Sequence, residues 1–298
     1  MLGFFLSSTF ISKAQITSDK WPEAKISYYE KPKLMANIDI MSAEMGPIMG
    51  IFYGAGVDYS LNNKIYLGID AQLPMLDKSF INEGKSSKMY SGNCELVFSS
   101  KRKSKSTRIT LERKSVGYNM EEITYRDYDI MSPIEKVFRF SANFYNNSVN
   151  PRKMNTKDSI AYGYYSVPGF KNEKGQISDG VANEKVLFVS AGIGWKDISY
   201  YFVELPDINR IANFATVMNT YVDFLYSPVI NLVDKVDYKK MPLGFRTGLD
   251  VSFNKSKLGA YCKMEAGMLP GVGTAPLYFK IGFGLKLRFE KLKIADNK

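Results

Sequence analysis

The chain has 298 residues, a formal net charge of +10 from 40 Lys+Arg against 30 Asp+Glu, 45% hydrophobic and 14% aromatic content, and no histidine. Without imidazole, His-based triads and hydrolases are excluded, and so are the usual zinc sets; no spacing calls for carboxylate or lysine catalysis, so no enzyme and no cofactor is expected. The basic residues are scattered, not striped along a helix, which sets nucleic acid aside and leaves an anionic partner or a solvated basic surface.

The chain opens on MLGFFLSSTFISKAQ. Leu2 to Ile11 is a short apolar run, and Ser12-Lys13-Ala14 puts small residues at the −3 and −1 positions before Gln15. This is the shape of a secretory signal over 1–14, although no Lys or Arg precedes the apolar run. A short segment, 15–33, follows. No later window offers the roughly 20 charge-free apolar residues of a membrane helix; Ile211 to Val233 comes nearest, but contains Asn213, Asn219, Asp223 and Pro228.

From residue 34 onward the pattern has period two, the mark of strands. MGIFYGAGVDYSL and KIYLGIDAQL flank Asn62-Asn63, a hairpin with its turn residues in place. Further strands are expected at 34–42, 89–99, 106–114, 119–127, 136–146, 159–166, 186–195, 198–204 and 213–226. KRKSKS (101–106) reads as a basic turn between two of them. In GIGWKDISYYF the apolar register jumps from Ile193 and Trp195 to Ile198, Tyr200 and Phe202, which places a turn or bulge at Lys196-Asp197. The polar stretches 75–88, 149–158, 167–183 and 227–241 read as loops. The acidic run EEITYRDYD (121–129) lacks the spacing of a calcium loop.

The last three strands alternate most strictly. In 242–254, Leu243, Phe245, Thr247, Leu249, Val251 and Phe253 oppose Gly244, Arg246, Gly248, Asp250 and Ser252. In 258–268, Leu258, Ala260, Cys262 and Met264 oppose Gly259, Tyr261, Lys263 and Glu265. In 277–289, LYFKIGFGLKLRF sets Leu277, Phe279, Ile281, Phe283, Leu285, Leu287 and Phe289 against Lys280, two glycines, Lys286 and Arg288. These strands run about 11 to 13 residues, against the ~9–11 that a tilted strand needs to cross a bilayer. Long dyad strands with glycine-rich polar faces are the signature of an antiparallel transmembrane β-barrel, and closure is obligatory there because an open edge in lipid leaves backbone groups unpaired.

The final strand resembles the C-terminal insertion signal of bacterial outer-membrane β-barrel proteins, with Lys280, Gly282, Leu285 and Leu287 at its polar, glycine and hydrophobic positions and Phe289 as its aromatic; nine further residues, EKLKIADNK, follow. The resemblance implies a barrel over 34–289 with a 290–298 tail, insertion by the outer-membrane barrel-assembly machinery, and periplasmic termini. Outer-membrane lipid and lipopolysaccharide would surround it. About 12 to 14 strands are expected, an even number being the rule for bacterial barrels.

The candidate lumen residues are Arg246, Asp250, Lys263, Glu265, Lys280, Lys286 and Arg288. They would form an anion-leaning constriction or solute-binding patch, or else an ion-pair network bracing the wall. Cys94 and Cys262 share registers with apolar residues on distant strands and are expected as free thiols. Two functions stand open: a pore or transporter for small solutes, and a closed barrel serving as a structural or accessory subunit of an envelope assembly.

Overall fold

A computed structural model describes residues 24–45, 50–62, 64–75, 88–115, 121–149, 182–206, 209–232, 240–254, 257–272 and 277–289. The signal segment, the 159–166 strand, nearly all of the 167–183 loop and the C-terminal tail lie outside the described residues. The strands are β1 (Lys25–Tyr28), β2 (Leu34–Met45), β3 (Gly50–Ser60), β4 (Ile65–Pro74), β5 (Lys88–Ser115), β6 (Glu121–Val149), β7 (Ala182–Leu205), β8 (Arg210–Leu232), β9 (Lys240–Met241), β10 (Leu243–Phe253), β11 (Leu258–Met268), β12 (Gly271–Val272) and β13 (Leu277–Arg288).

All pairings are antiparallel, and they close. The order runs β7-β6-β5-β4-β3-β2-β13-β11-β10-β8, and β8 returns to pair with β7, making a barrel of 10 strands. The seam joins the first and last barrel strands, with Phe279 beside Met45 and Arg288 beside Met35. The fold class expected from the alternation is therefore the one found.

The strand count is lower than the 12 to 14 expected, because long strands read as pairs. KRKSKS is not a turn: it lies within β5, whose 28 residues run unbroken. Likewise β6 runs through 29 residues and β7 through 24, with no turn at Lys196-Asp197. Along β5, residues 101 to 106 are exposed on both faces because the strand has left the barrel wall; a strand solvated on two sides loses its alternation and reads as a loop.

The register jump in β7 has a related cause. Within the wall, odd residues such as Ile193 and Trp195 face outward and even ones inward. Past Asp197 both faces are covered. Ile198 and Tyr200 pack with Ala215, Tyr29 and Val217 on one side. Tyr201, Val203 and Leu205 pack with Ile109 and Ile130 on the other. The hairpin formed by the outer halves of β5 and β6 folds against a sheet of β1 and the outer halves of β7 and β8. The result is a two-layer extension beyond the barrel, at the end that carries the start of β2 and the end of β13.

Outside, an apolar face encircles the wall. Every barrel strand contributes to it, including Ile69 at 67% exposed, Phe224 at 58% and Phe283 at 45%. Inside, glycines make room for rings. Gly248 lies opposite Tyr221 and Gly284 opposite Tyr261, and a Cβ on these glycines would come within 2.3 Å and 2.6 Å, respectively, of the facing tyrosine ring. Cys94 on β5 and Cys262 on β11 are both free, and the strand order puts them on opposite sides of the barrel.

Candidate functional site: a filled lumen with one blind cavity

Polar side chains enter the lumen where the dyad forces them to. Charges flanked by two apolar neighbours, as in Phe138-Arg139-Phe140 and Val222-Asp223-Phe224, point inward from strands whose other face is greasy. These groups link across the barrel. Lys196 pairs with Glu95, and Glu95 with Arg139. Arg139 meets Asp223 at 3.1 Å, and Asp223 meets Arg246 at 2.8 Å. Arg246 lies 3.9 Å from Glu265, which holds Lys263 at 3.3 Å. This chain of charges draws on β5, β6, β7, β8, β10 and β11. Arg139 also lies over the Tyr221 ring at 3.7 Å, and the Tyr221 hydroxyl donates to Glu265.

The sequence candidates divide across the lumen's height. Arg246, Lys263 and Glu265 join this central network, and Arg246 also donates to Ser141 on β6 at 3.2 Å. Asp250 sits opposite Lys263 in the β10–β11 register and lines a cavity below the network. Lys280 is further toward the far end, donating to Gln72 at 2.6 Å with Glu44 at 3.6 Å. Lys286 pairs with Asp58 at 3.4 Å, and Arg288 donates to the Asn254 carbonyl at 3.1 Å near the end bearing the extension. The partners Glu95, Arg139, Lys196 and Asp223 are not among the lumen candidates expected from the sequence, which all come from the last three strands. The signal was present as a lone charge between apolar neighbours in β5, β6 and β8.

Above the network, at the end remote from the extension, the lumen is apolar. Phe52, Tyr145, Val186, Phe188, Leu225, Ile230, Leu269 and Tyr278 form one buried cluster, with Met89 against it. Residues 269–271 after β11 are buried there, and the Tyr145 hydroxyl donates to the Pro270 carbonyl at 3.0 Å. At the other end, Tyr29 to Lys33 lies across the opening. The Tyr29 amide bonds to Tyr200 on β7, and the Lys33 carbonyl to Ser60 at the end of β3. Between them Lys31 donates to Tyr66 at 2.6 Å and pairs with Glu135; burial lowers the Lys31 pKa, opposed by Glu135. Below the strap and short of the network lies a cavity of about 240 Å³, lined by side chains from around the ring.

The architecture is thus a closed antiparallel β-barrel with an apolar exterior and a filled interior. No protein-family model matches the chain, and no curated protein is detectably similar to it in sequence.

Proposed function

We propose that this chain is a bacterial outer-membrane β-barrel whose lumen does not conduct, acting as a membrane-seated, non-enzymatic subunit of a cell-envelope assembly. The observation that carries the reading is the stacking of three obstructions along one axis: the apolar cluster around Phe188 and Tyr278, the cross-lumen ion chain, and the strap at Lys31. A conducting barrel lines its axis with water; here, among the described residues, apolar and paired groups cross it.

The membrane placement is supported by the unbroken apolar exterior, since soluble proteins rarely expose contiguous apolar patches beyond a few hundred Å². Dimensions agree. The 11 residues of β10 at about 3.3 Å each, tilted by about 40°, cover about 28 Å along the axis, close to the ~25 Å apolar band of such barrels. The termini and the extension would then sit in the periplasm, where the extension is the surface offered to envelope partners, with lipopolysaccharide around the opposite end. The transporter alternative retains one support, the blind cavity, and has no path beyond it among the described residues.

Planar-bilayer recording of folded, inserted protein tests the proposal. The expected result is silence, with vesicle flotation confirming insertion. Stepwise currents that change in Arg246→Glu would overturn the closed reading; failure of the folded protein to float with vesicles would overturn the membrane reading.

A further inference from the structure

The charges lining the cavity are unequally paired. Each cation lining it, Lys31, Arg139, Lys196, Lys263 and Lys286, already holds a carboxylate. The carboxylates are less well provided for. Among the described residues Asp39 accepts from the Gln72 amide and Asp70 from the Ser91 hydroxyl, and Asp250 has one buried oxygen without a hydrogen-bond partner. None of these three forms an ion pair among the described residues. Lys263, opposite Asp250 in the β10–β11 register, is already held by Glu265 at 3.3 Å.

Uncharged groups lean the same way. Asn219, only 7% exposed, and Asn37 line the cavity, and the buried amide oxygen of each has no hydrogen-bond partner among the described residues. Buried acceptors without donors are costly, about 1–3 kcal/mol apiece, and are normally satisfied by protein, water or ligand. Acceptors without donors and carboxylates without a cation of their own, set around a partly enclosed cavity, are complementary to a cation rich in N–H donors. At ~30 Å³ per water the cavity holds about eight waters, or a ligand of comparable heavy-atom count.

We infer that the cavity is a binding site for a small primary amine or diamine, held between Asp39 and Asp70 on one side of the ring and Asp250 and Asn219 on the other. Access is from the end that bears the extension, past Lys31. The polarity is the reverse of the anion preference expected from the excess of Lys and Arg in the last three strands, because Arg246, Lys263, Lys280 and Lys286 are taken up by carboxylates on β8, β11, β2 and β3. The site follows from the cavity alone and stands whether or not the barrel conducts.

Calorimetric titration of the folded full-length protein in detergent, with putrescine as the probe and inorganic phosphate and tetramethylammonium as comparisons, tests this. Putrescine is expected to bind saturably at one site, and tetramethylammonium, which has no N–H, not to bind. Asp70→Asn with Asp250→Asn should weaken putrescine by about tenfold or more, the size expected for losing charge-assisted bonds. Lys101→Glu, on the extension, should leave it unchanged. Should the double variant fail to fold, Asn219→Leu, which removes an acceptor and no charge, is expected to weaken binding several-fold. Saturable phosphate binding, no binding of putrescine by folded wild-type protein, or putrescine binding that all variants retain would each overturn the inference, the second indicating a cavity that holds water alone.

Discussion

Asp223 is 1% exposed and accepts from two guanidiniums, Arg139 at 3.1 Å and Arg246 at 2.8 Å. Asp223→Asn keeps the shape and removes the charge that both arginines face. Arg139 retains Glu95, but Arg246 is left with Glu265 at 3.9 Å. Breaking a buried pair by neutralising one partner costs about 3–5 kcal/mol, which shifts the folding equilibrium by more than about a hundredfold. Trp195 reports the change conveniently, since it sits on the outer face at 39% exposed and would meet lipid on folding. Urea titration of vesicle-folded protein, followed by tryptophan fluorescence, should show a lower midpoint with an unchanged slope. The compensating variant sharpens the test: Asp223→Leu with Arg246→Met removes charge and countercharge together and should recover most of the loss, because well-packed apolar groups replace a buried pair at little net cost. If Asp223→Asn lies within about 1 kcal/mol of wild type, or the double variant is no better than the single, the ion chain is not a structural brace and the reasoning fails.

Two further outcomes concern the extension. Ile130 is fully buried in the cluster joining the two layers, so Ile130→Ala should cost about 2–4 kcal/mol locally; proteolysis between Lys101 and Lys105 should speed up while the barrel's electrophoretic mobility stays that of the folded form. Asp127 is held below the ordinary carboxylate range by the hydrogen bonds and charge of Arg108. Its stabilising contribution is therefore present above the normal aspartate range and lost as pH falls through its lowered value, and Arg108→Gln should return its NMR titration to the usual range.

The barrel was legible because outward-facing and lumen-facing residues must alternate, and in β10, β11 and β13 nothing interrupts that rule. It was least legible where a second layer or bulk water changes what each face meets. Past Asp197, residues on both faces of β7 are apolar since both are buried, and along 101–106 both faces of β5 are polar since both are wet. Local pattern records the environment of each face, not whether the chain turns. The lumen candidates stand on the inward face of their strands. Their pairing was out of reach, since it depends on which strands stand across the ring: Arg246 is satisfied from β8 and β6, a relation set by closure.

The strap has a mechanical consequence. A ring of hydrogen-bonded strands resists stretching around its circumference but flattens easily, because an oval has the same perimeter as a circle. β7 and β3 stand four strands apart in the ring of ten, so Tyr29 to Lys33 forms a chord across the ring, pinned at Tyr200 on one side and at Ser60 on the other. Five extended residues span at most about 17 Å. That chord sets the greatest width the opening can reach along its line, so lateral pressure that would ovalise an unbraced barrel must first break the strap's anchors.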